Sequence, residues 1–152
     1  MPTIKSILEA DHARCDALFA EAESAVASGD WQQAAAALDL FDAALRRHLA
    51  MEEDVLFPAF EQATGNASGP TAVMRSEHRQ LRDIAADARR ALQQRSSDDF
   101  FAAVETMQIM MGQHNLKEEG ILYPMADRFL KASAEQLLEA MHALPEDRAV
   151  QA

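Results

Sequence analysis

The chain contains itself twice. An eleven-residue stretch, His-Leu-Ala-Met-Glu-Glu-Asp-Val-Leu-Phe-Pro from His48 to Pro58, returns as His-Asn-Leu-Lys-Glu-Glu-Gly-Ile-Leu-Tyr-Pro from His114 to Pro124. The offset is 66 residues, and without a gap it also relates Asp11-His12 to Glu77-His78. Apolar positions follow the same offset, among them Ile7/Val73, Leu8/Met74, Leu18/Ile84, Leu38/Val104, Phe41/Met107 and Leu45/Met111. A period of 66 exceeds that of the common solenoid repeats, and two copies are too few for an array. The repeat therefore predicts one helical hairpin used twice, the two hairpins closing on each other about a pseudo-twofold axis.

Apolar residues at spacings of three and four predict a first helix over 3–28, with Ile4, Leu8, Cys15, Leu18, Phe19, Ala22 and Val26 on its stripe and His12 among them. Gly29 and Asp30 form a turn, and Asp30 can cap a second helix from Trp31 to the neighbourhood of Pro58, where the proline ends or kinks it. The run from Thr64 to Pro70 is a loop. A third helix over 70–95 carries Val73, Met74, His78, Leu81 and Ile84 on one face. Ser96 to Asp99 turn the chain into a fourth, which carries Phe100, Met107, Met111, His114, Glu118, Leu122 and Phe129, with a kink expected at Pro124. Ser133 and Gln136 predict a capping box opening a tail helix over 133–144, and the last residues are expected to fray. The expected fold is all-α. It is an antiparallel up-down four-helix bundle over 3–130 with a short C-terminal helix, in one domain spanning 1–152.

Turn positions test whether the polar residues on these stripes meet. His12 lies 17 residues before Gly29 and His48 lies 19 after it, while His78 and His114 each lie 18 from Ser96. At 1.5 Å per residue the mismatch is at most about 3 Å, so each hairpin carries its two histidines in one layer. Residues four apart on a helix share a face. His48 with Glu52, and His114 with Glu118, then add a carboxylate to each imidazole at that level. Four imidazoles and two carboxylates on apolar faces, with no Lys on those stripes to pair them, would cost several kcal/mol per charged group if buried unpartnered. A metal centre removes that cost. Nitrogen and oxygen donors without thiolate suit iron, manganese or zinc. Two Glu from facing helices can bridge two ions, each ion ended by two His.

Composition limits the alternatives. A length of 152 residues suits one domain, and 49% hydrophobic content is enough for a substantial core. A net charge of −11 argues against nucleic acid, whose phosphates need a basic surface. The one cysteine, Cys15, leaves no disulfide framework within a chain. No signal-peptide or membrane-length apolar run is present, so a cytoplasmic protein is expected, with no membrane partner.

The pattern resembles a known family. Asp11-His12, the His-x-x-x-Glu-Glu at His48, Glu77-His78 and the His-x-x-x-Glu-Glu at His114 are similar to the hemerythrin-like, or HHE cation-binding, domain, over roughly residues 3–130. The resemblance implies an up-down four-helix bundle holding two iron ions with an oxo or hydroxo bridge. It carries over His12, His48, Glu52, His78, His114 and Glu118 as ligands, the two Glu as bridges. Oxygen carriers of the family have a fifth His four residues from His78, where this chain has Met74 on one side and Arg82 on the other, and the alignment of His78 with His12 favours Met74 as that place. The carriers also use an Asp five residues after the last His, where this chain has Glu119. Helical geometry favours Glu118, because four residues turn about 40° past a full circle and five about 140°. The resemblance is thus closer to the four-His, two-Glu version, which includes proteins linked to repair of iron centres under nitrosative or oxidative stress. It implies a stand-alone domain that binds or senses O₂, NO or peroxide, or handles iron. The alternatives are iron storage or donation without turnover, and a metal-free structural bundle.

The remaining candidates read more plainly. Cys15, one turn after His12, is a small core residue that can also face the metal pocket. Glu53 and Glu119 are expected to be solvated or capping, with a supporting or alternative ligand role as the second reading. His142 falls outside the repeat and is expected on the surface of the tail helix. Met107, Met110 and Met111 are expected to pack.

Overall fold

The computed structural model describes residues 2–146. Thr3 opens the first helix with a reciprocal capping box: its hydroxyl accepts from the Ser6 amide at 2.9 Å, and the Ser6 hydroxyl accepts from the Thr3 amide at 2.8 Å. The Asp127 carboxylate adds bonds from the amides of Ile4 and Lys5, at 2.8 and 3.2 Å. Negative charge is favoured at a helix N-terminus, so this contact also ties a late helix to the first. Helix α1 runs Ile4–Ala27. Gly29 takes a left-handed conformation (φ 74°), and Asp30 caps α2, Trp31–Ala50, by accepting from the Gln33 amide at 3.0 Å. A π-helical turn, Met51–Leu56, leads without a break into α3, Phe57–Thr64. The second half repeats this: α4 Pro70–Gln93, α5 Ser97–Lys117 capped by Ser96, a π turn Glu118–Leu122, and α6 Tyr123–Phe129. A 3₁₀ turn, Lys131–Ser133, precedes α7, Ala134–His142.

The fold is an all-helical bundle, with no strand among the described residues. Helix α1 packs along α2 and α4 along α5, the two hairpins that the repeat predicts, and α2 meets α4 while α1 meets α5. The apolar core falls into two clusters. One holds Cys15, Phe19, Leu38, Phe41, Leu45, Leu81, Phe100, Met107 and Met111 towards the hairpin turns. The other holds Ile4, Leu8, Leu56, Phe57, Phe60, Met74, Leu122 and Tyr123 at the opposite end, where Met141 of α7 joins it. On three of the long helices the changeover between clusters spans a histidine, between Leu8 and Cys15, Met74 and Leu81, and Met111 and Leu122, and on the fourth it comes just after His48, between Leu49 and Met51. One polar layer therefore crosses an otherwise apolar interior. Arg47 holds the tail in place, donating to the carbonyls of Leu144 (2.9 Å) and His142 (3.2 Å), where a cation complements the end of α7.

Several details differ from the sequence reading. Neither Pro58 nor Pro124 ends its helical run; each is taken into a continuous run by the π turn before it. Proline lacks an N–H and crowds the carbonyl four residues back. Here the amides of Phe57 and Tyr123 instead reach five residues back, to the carbonyls of Glu52 and Glu118. The capping box at Ser133 does not form. Ser133 lies in the 3₁₀ turn and its hydroxyl turns back to the Leu130 carbonyl at 3.5 Å. Val73 and Phe129, placed on apolar stripes, are exposed, as is Ile7, the repeat mate of Val73. The methionines pack as expected and His142 is exposed. The expected fraying of the last residues, 147–152, lies outside the described residues. Among the described residues no helix is long and apolar enough to cross a membrane.

Candidate metal centre

All six residues singled out by spacing meet in the polar layer. His12 comes from α1, His48 from α2, His78 from α4 and His114 from α5, while Glu52 and Glu118 stand in the two π turns. Glu52, His78 and Glu118 are fully buried, and the other three are 2–5% exposed. The Nε2 atoms point at carboxylate oxygens: His12 to Glu118 at 3.1 Å, His114 to Glu118 at 3.1 Å, His78 to Glu52 at 3.2 Å and His48 to Glu52 at 3.3 Å. His78, His114, Glu52 and Glu118 offer donor atoms all within 4.8 Å of one another, and so do His12, His48 and Glu118. Glu118 belongs to both groups.

The other ring nitrogen of every histidine is held by a carboxylate, and the holders obey the repeat. Asp11 takes the Nδ1 of His48 at 2.8 Å, as Glu77 takes that of His114 at 2.8 Å. Glu53 takes the Nδ1 of His78 at 2.6 Å, as Glu119 takes that of His12 at 2.6 Å. So the two nitrogens of His78 face consecutive residues of the other hairpin, Glu52 across the layer and Glu53 behind it, and those of His12 likewise face Glu118 and Glu119. An Nδ1–H donated to a carboxylate fixes the tautomer with a lone pair on Nε2 and raises its basicity.

These contacts correct the reading of Glu53 and Glu119, which orient imidazoles rather than cap or stand in solvent. The π turns could not be seen in the spacing. Such turns recur at functional sites. Here each begins beside or at a carboxylate of the layer and lets two adjacent glutamates reach the imidazoles, which a regular α-helix, at 100° per residue, opposes. The signal available in the sequence was the doubled acid itself, present in both copies.

Tyr123 was also missed. It is fully buried, and its hydroxyl donates to Glu52 Oε2 at 2.7 Å, with Glu118 Oε1 at 3.0 Å and His12 Nε2 at 3.2 Å. Its repeat mate, Phe57, stacks on His78 at 5.5 Å as Tyr123 stacks on His12 at 5.7 Å. The hydroxyl is the difference between the two copies, and alignment of the aromatics reads both as packing.

The electrostatics follow from six carboxylates around four imidazoles. Burial alone would lower the pKa of His48, but the charge of Glu52 and the bond to Asp11 outweigh it and raise it to about 10. His78 is likewise raised to about 9, burial being overcome by Glu118 and Glu52. His114 is raised against burial by Glu118. Burial pushes Glu118 up, yet its close contacts with Glu52, His114, His12 and His78 hold it well below the usual carboxylate range. Burial, with Glu52 and Glu118 beside it, drives Tyr123 well above an ordinary phenol.

The residues fit a metal. Five buried atoms of the layer, the Nε2 of His48, His78 and His114 with Glu52 Oε1 and Glu118 Oε2, have no hydrogen-bond partner. Buried polar atoms are rarely left so, and several in one spot call for an explanation. Ligands held about 2.1 Å from one ion at right angles lie about 3 Å apart, which is the spacing between these nitrogens and oxygens. Beside the layer lies a chamber of about 10 Å³ lined by His12, His48, His114, Cys15, Leu81 and Met111, among others. Cys15 is thus both core and chamber wall, as its two readings allowed, and burial pushes its thiol up to about 12.

An all-helical bundle with a buried histidine–carboxylate layer defines a class of cation-binding proteins. The chain belongs to the hemerythrin HHE cation-binding domain family, whose model matches residues 3–126. It matches no curated protein and no solved structure.

Proposed function

We propose that the chain is a hemerythrin-like protein that binds two iron ions in an antiparallel up-down bundle of two pseudo-symmetric hairpins. His12 and His48 serve one ion, His78 and His114 the other, and Glu52 and Glu118 span both. The observation that carries this reading is the set of buried, unpartnered Nε2 and carboxylate atoms that face one another, each imidazole being locked from behind by a carboxylate. Two divalent cations also supply four positive charges, as many as four protonated imidazoles would.

The place of the carriers' fifth His is taken by Met74, which is buried in the apolar cluster. This supports an open position at one ion and a role in binding or sensing O₂, NO or peroxide in the cytoplasm. Bound iron would supply the redox chemistry. The protein's own residues hold the ions, exclude bulk water through the two apolar clusters, and keep the Tyr123 hydroxyl beside both carboxylates.

Metal content per chain, measured on protein purified without chelator, tests the reading, together with an optical spectrum in air. Near two irons per chain with near-ultraviolet charge-transfer bands is the expected result, followed by spectral changes on titration with O₂ or NO. A centre that loads but ignores both gases would point to iron storage or donation. No metal as purified, and no uptake of Fe(II) under anaerobic conditions, would sink the metal reading and leave a structural bundle.

A further inference from the structure

Two clefts lead from the surface towards the polar layer, and the 66-residue offset turns one into the other. The cleft between α1 and α5 has a volume of about 220 Å³ and the cleft between α2 and α4 about 340 Å³. Their linings correspond position by position, but the chemistry is reversed. Asp16 and Glu23 of the first stand where Arg82 and Arg89 stand in the second, Gly112 where Arg46 stands, and Asn115 where Leu49 stands. Both clefts border the small chamber beside the histidines. The first shares Asp16, Met111 and Asn115 with it, while the second shares only Leu45 and Leu49.

We propose that the acidic cleft between α1 and α5 is the path by which a divalent cation reaches the centre. The proposal rests on the metal reading above and adds to it where, and in what form, the ion enters. Oxygen donors mark the whole way: Glu23 and Asp16 at the mouth, then Asp16 and the Asn115 amide at the boundary with the chamber. The Oδ1 of Asn115 is shielded from solvent and has no hydrogen-bond partner. Beyond it, the Nε2 atoms of His48 and His114, residues 3% and 2% exposed, are unpartnered in the chamber wall. A hard cation can exchange water for such oxygens stepwise and finish on imidazole. Negative charge at the mouth of an apolar cleft also concentrates cations there.

The opposite cleft is larger, but its carboxylates are taken up in ion pairs with arginine. Arg89 is paired with Asp42 (3.0 Å) and Asp39 (2.7 Å), and Arg82 holds Glu53 with two bonds of 2.9 Å. Its boundary with the chamber is two leucines. Gly112 keeps the acidic cleft open: a Cβ at that position would meet nothing within 4 Å. A side chain there fills the cleft without disturbing the fold, and in the middle of α5 it replaces the poorest non-proline helix former.

The experiment is anaerobic uptake of Fe(II) by the metal-free full chain, followed by stopped flow. Gly112→Leu is expected to slow uptake by at least about tenfold, because loading must then wait for local opening of the bundle. The final stoichiometry should match the wild type. Asp16→Asn with Glu23→Gln is expected to slow uptake severalfold and to flatten its dependence on ionic strength. Ala86→Leu, the matched filling of the basic cleft, is expected to leave the rate within about twofold of wild type. Wild-type rates in Gly112→Leu, or equal slowing by Ala86→Leu, would overturn the path while leaving the metal centre standing. So would a Gly112→Leu protein that loads normally but, once loaded, binds NO slowly, since the cleft would then serve the gas. A wild-type chain that takes up no Fe(II) would instead overturn the metal reading, and the path with it.

Discussion

The hairpins 4–64 and 70–129 agree to a tenth of an ångström in the contacts that hold the Nδ1 atoms of their imidazoles and disagree in charge where they face solvent. Asp11–His48 and Glu77–His114 are both 2.8 Å, and Glu53–His78 and Glu119–His12 both 2.6 Å. Outside that layer Asp16 stands where the other copy has Arg82, and within it Tyr123 stands where the other copy has Phe57. The consequence reaches inward. Glu53 is braced by Arg82 as it grips His78, whereas Glu119 grips His12 with Asp16 nearby. Asp16 is raised by burial and by the charge of Glu119, against the pull of His12. Two hairpins can thus share one setting for their imidazoles and still brace it differently from outside. A duplicated fold keeps the grip on the imidazoles alike and is free to vary the charges around it.

The hardest way to break the comparison is to remove a ligand from one copy. His48→Leu and His114→Leu are each expected to lose one ion of the two, with equal loss because their settings are equivalent. Glu118→Gln is expected to lose both, since Glu118 alone belongs to both donor groups. Affinity should fall by more than the roughly 10–100-fold typical of outer partners. Metal per chain in the purified variants decides it, and a Glu118→Gln protein that still holds two ions would remove Glu118 as a bridge.

The pH response sharpens the comparison between the metal-free and loaded states. His48 and His78 sit at about 10 and about 9 in the folded metal-free chain, above the ~6.5 of an unfolded histidine. Their stabilisation is therefore complete below about pH 6.5 and is lost as pH rises through those folded values. Asp11, Glu53, Glu77 and Glu118 are all held below the usual range, so their contribution is complete above about pH 4.5 and lost as pH falls further. The metal-free protein is expected to melt highest between about pH 5 and 6.5 and progressively lower towards pH 9. Metal requires neutral imidazole and displaces these protons. The loaded protein should hold its melting temperature over that range, with about 4 kcal/mol of extra stability per bound ion when free metal exceeds Kd a thousandfold. Parallel slopes for the two forms would mean that the imidazoles do not bind metal.

The repeat made the layer legible, because it located six ligand candidates and two hairpins without any contact information. It could not show the π turns, since an i→i−5 bond leaves no spacing signature when the helix simply continues past Pro58 and Pro124. For the same reason Glu53 and Glu119, one residue too far along a regular helix, read as outward. Tyr123 was masked by its own alignment with Phe57: a hydroxyl adds nothing to hydrophobic periodicity, and its partners come from both hairpins. The exposed pair Ile7 and Val73 shows the converse, a repeat that preserves apolar character without burial.

Tyr123→Phe makes the second copy resemble the first and measures what the hydroxyl contributes. It leaves Glu52 Oε2 buried without its 2.7 Å donor. The metal-free protein is expected to lose about 1–3 kcal/mol in urea unfolding, the usual cost of an orphaned buried acceptor. Phe57→Tyr, which adds a hydroxyl to the other copy, should not restore it. A variant as stable as wild type would show that Glu52 relaxes onto another donor.

The smallest expected effect separates space from charge at the repeat's other asymmetry. Arg46 and Gly112 occupy matching helix positions, but only the glycine carries the conformational penalty of a residue without Cβ. Because nothing lies within 4 Å of the new methyl group, Gly112→Ala should meet no steric cost. It should gain about 0.8–1 kcal/mol from helix propensity. For a chain of this size that raises the melting temperature by about 2–4 °C, readable by calorimetry on the metal-free protein. Its Fe(II) uptake should stay near wild type, since one methyl group fills little of a 220 Å³ cleft. Stabilisation by alanine without slowing, set against slowing by leucine, would separate the helix from the passage. A fall in stability on adding the methyl would instead place Gly112 in a contact that the helix needs.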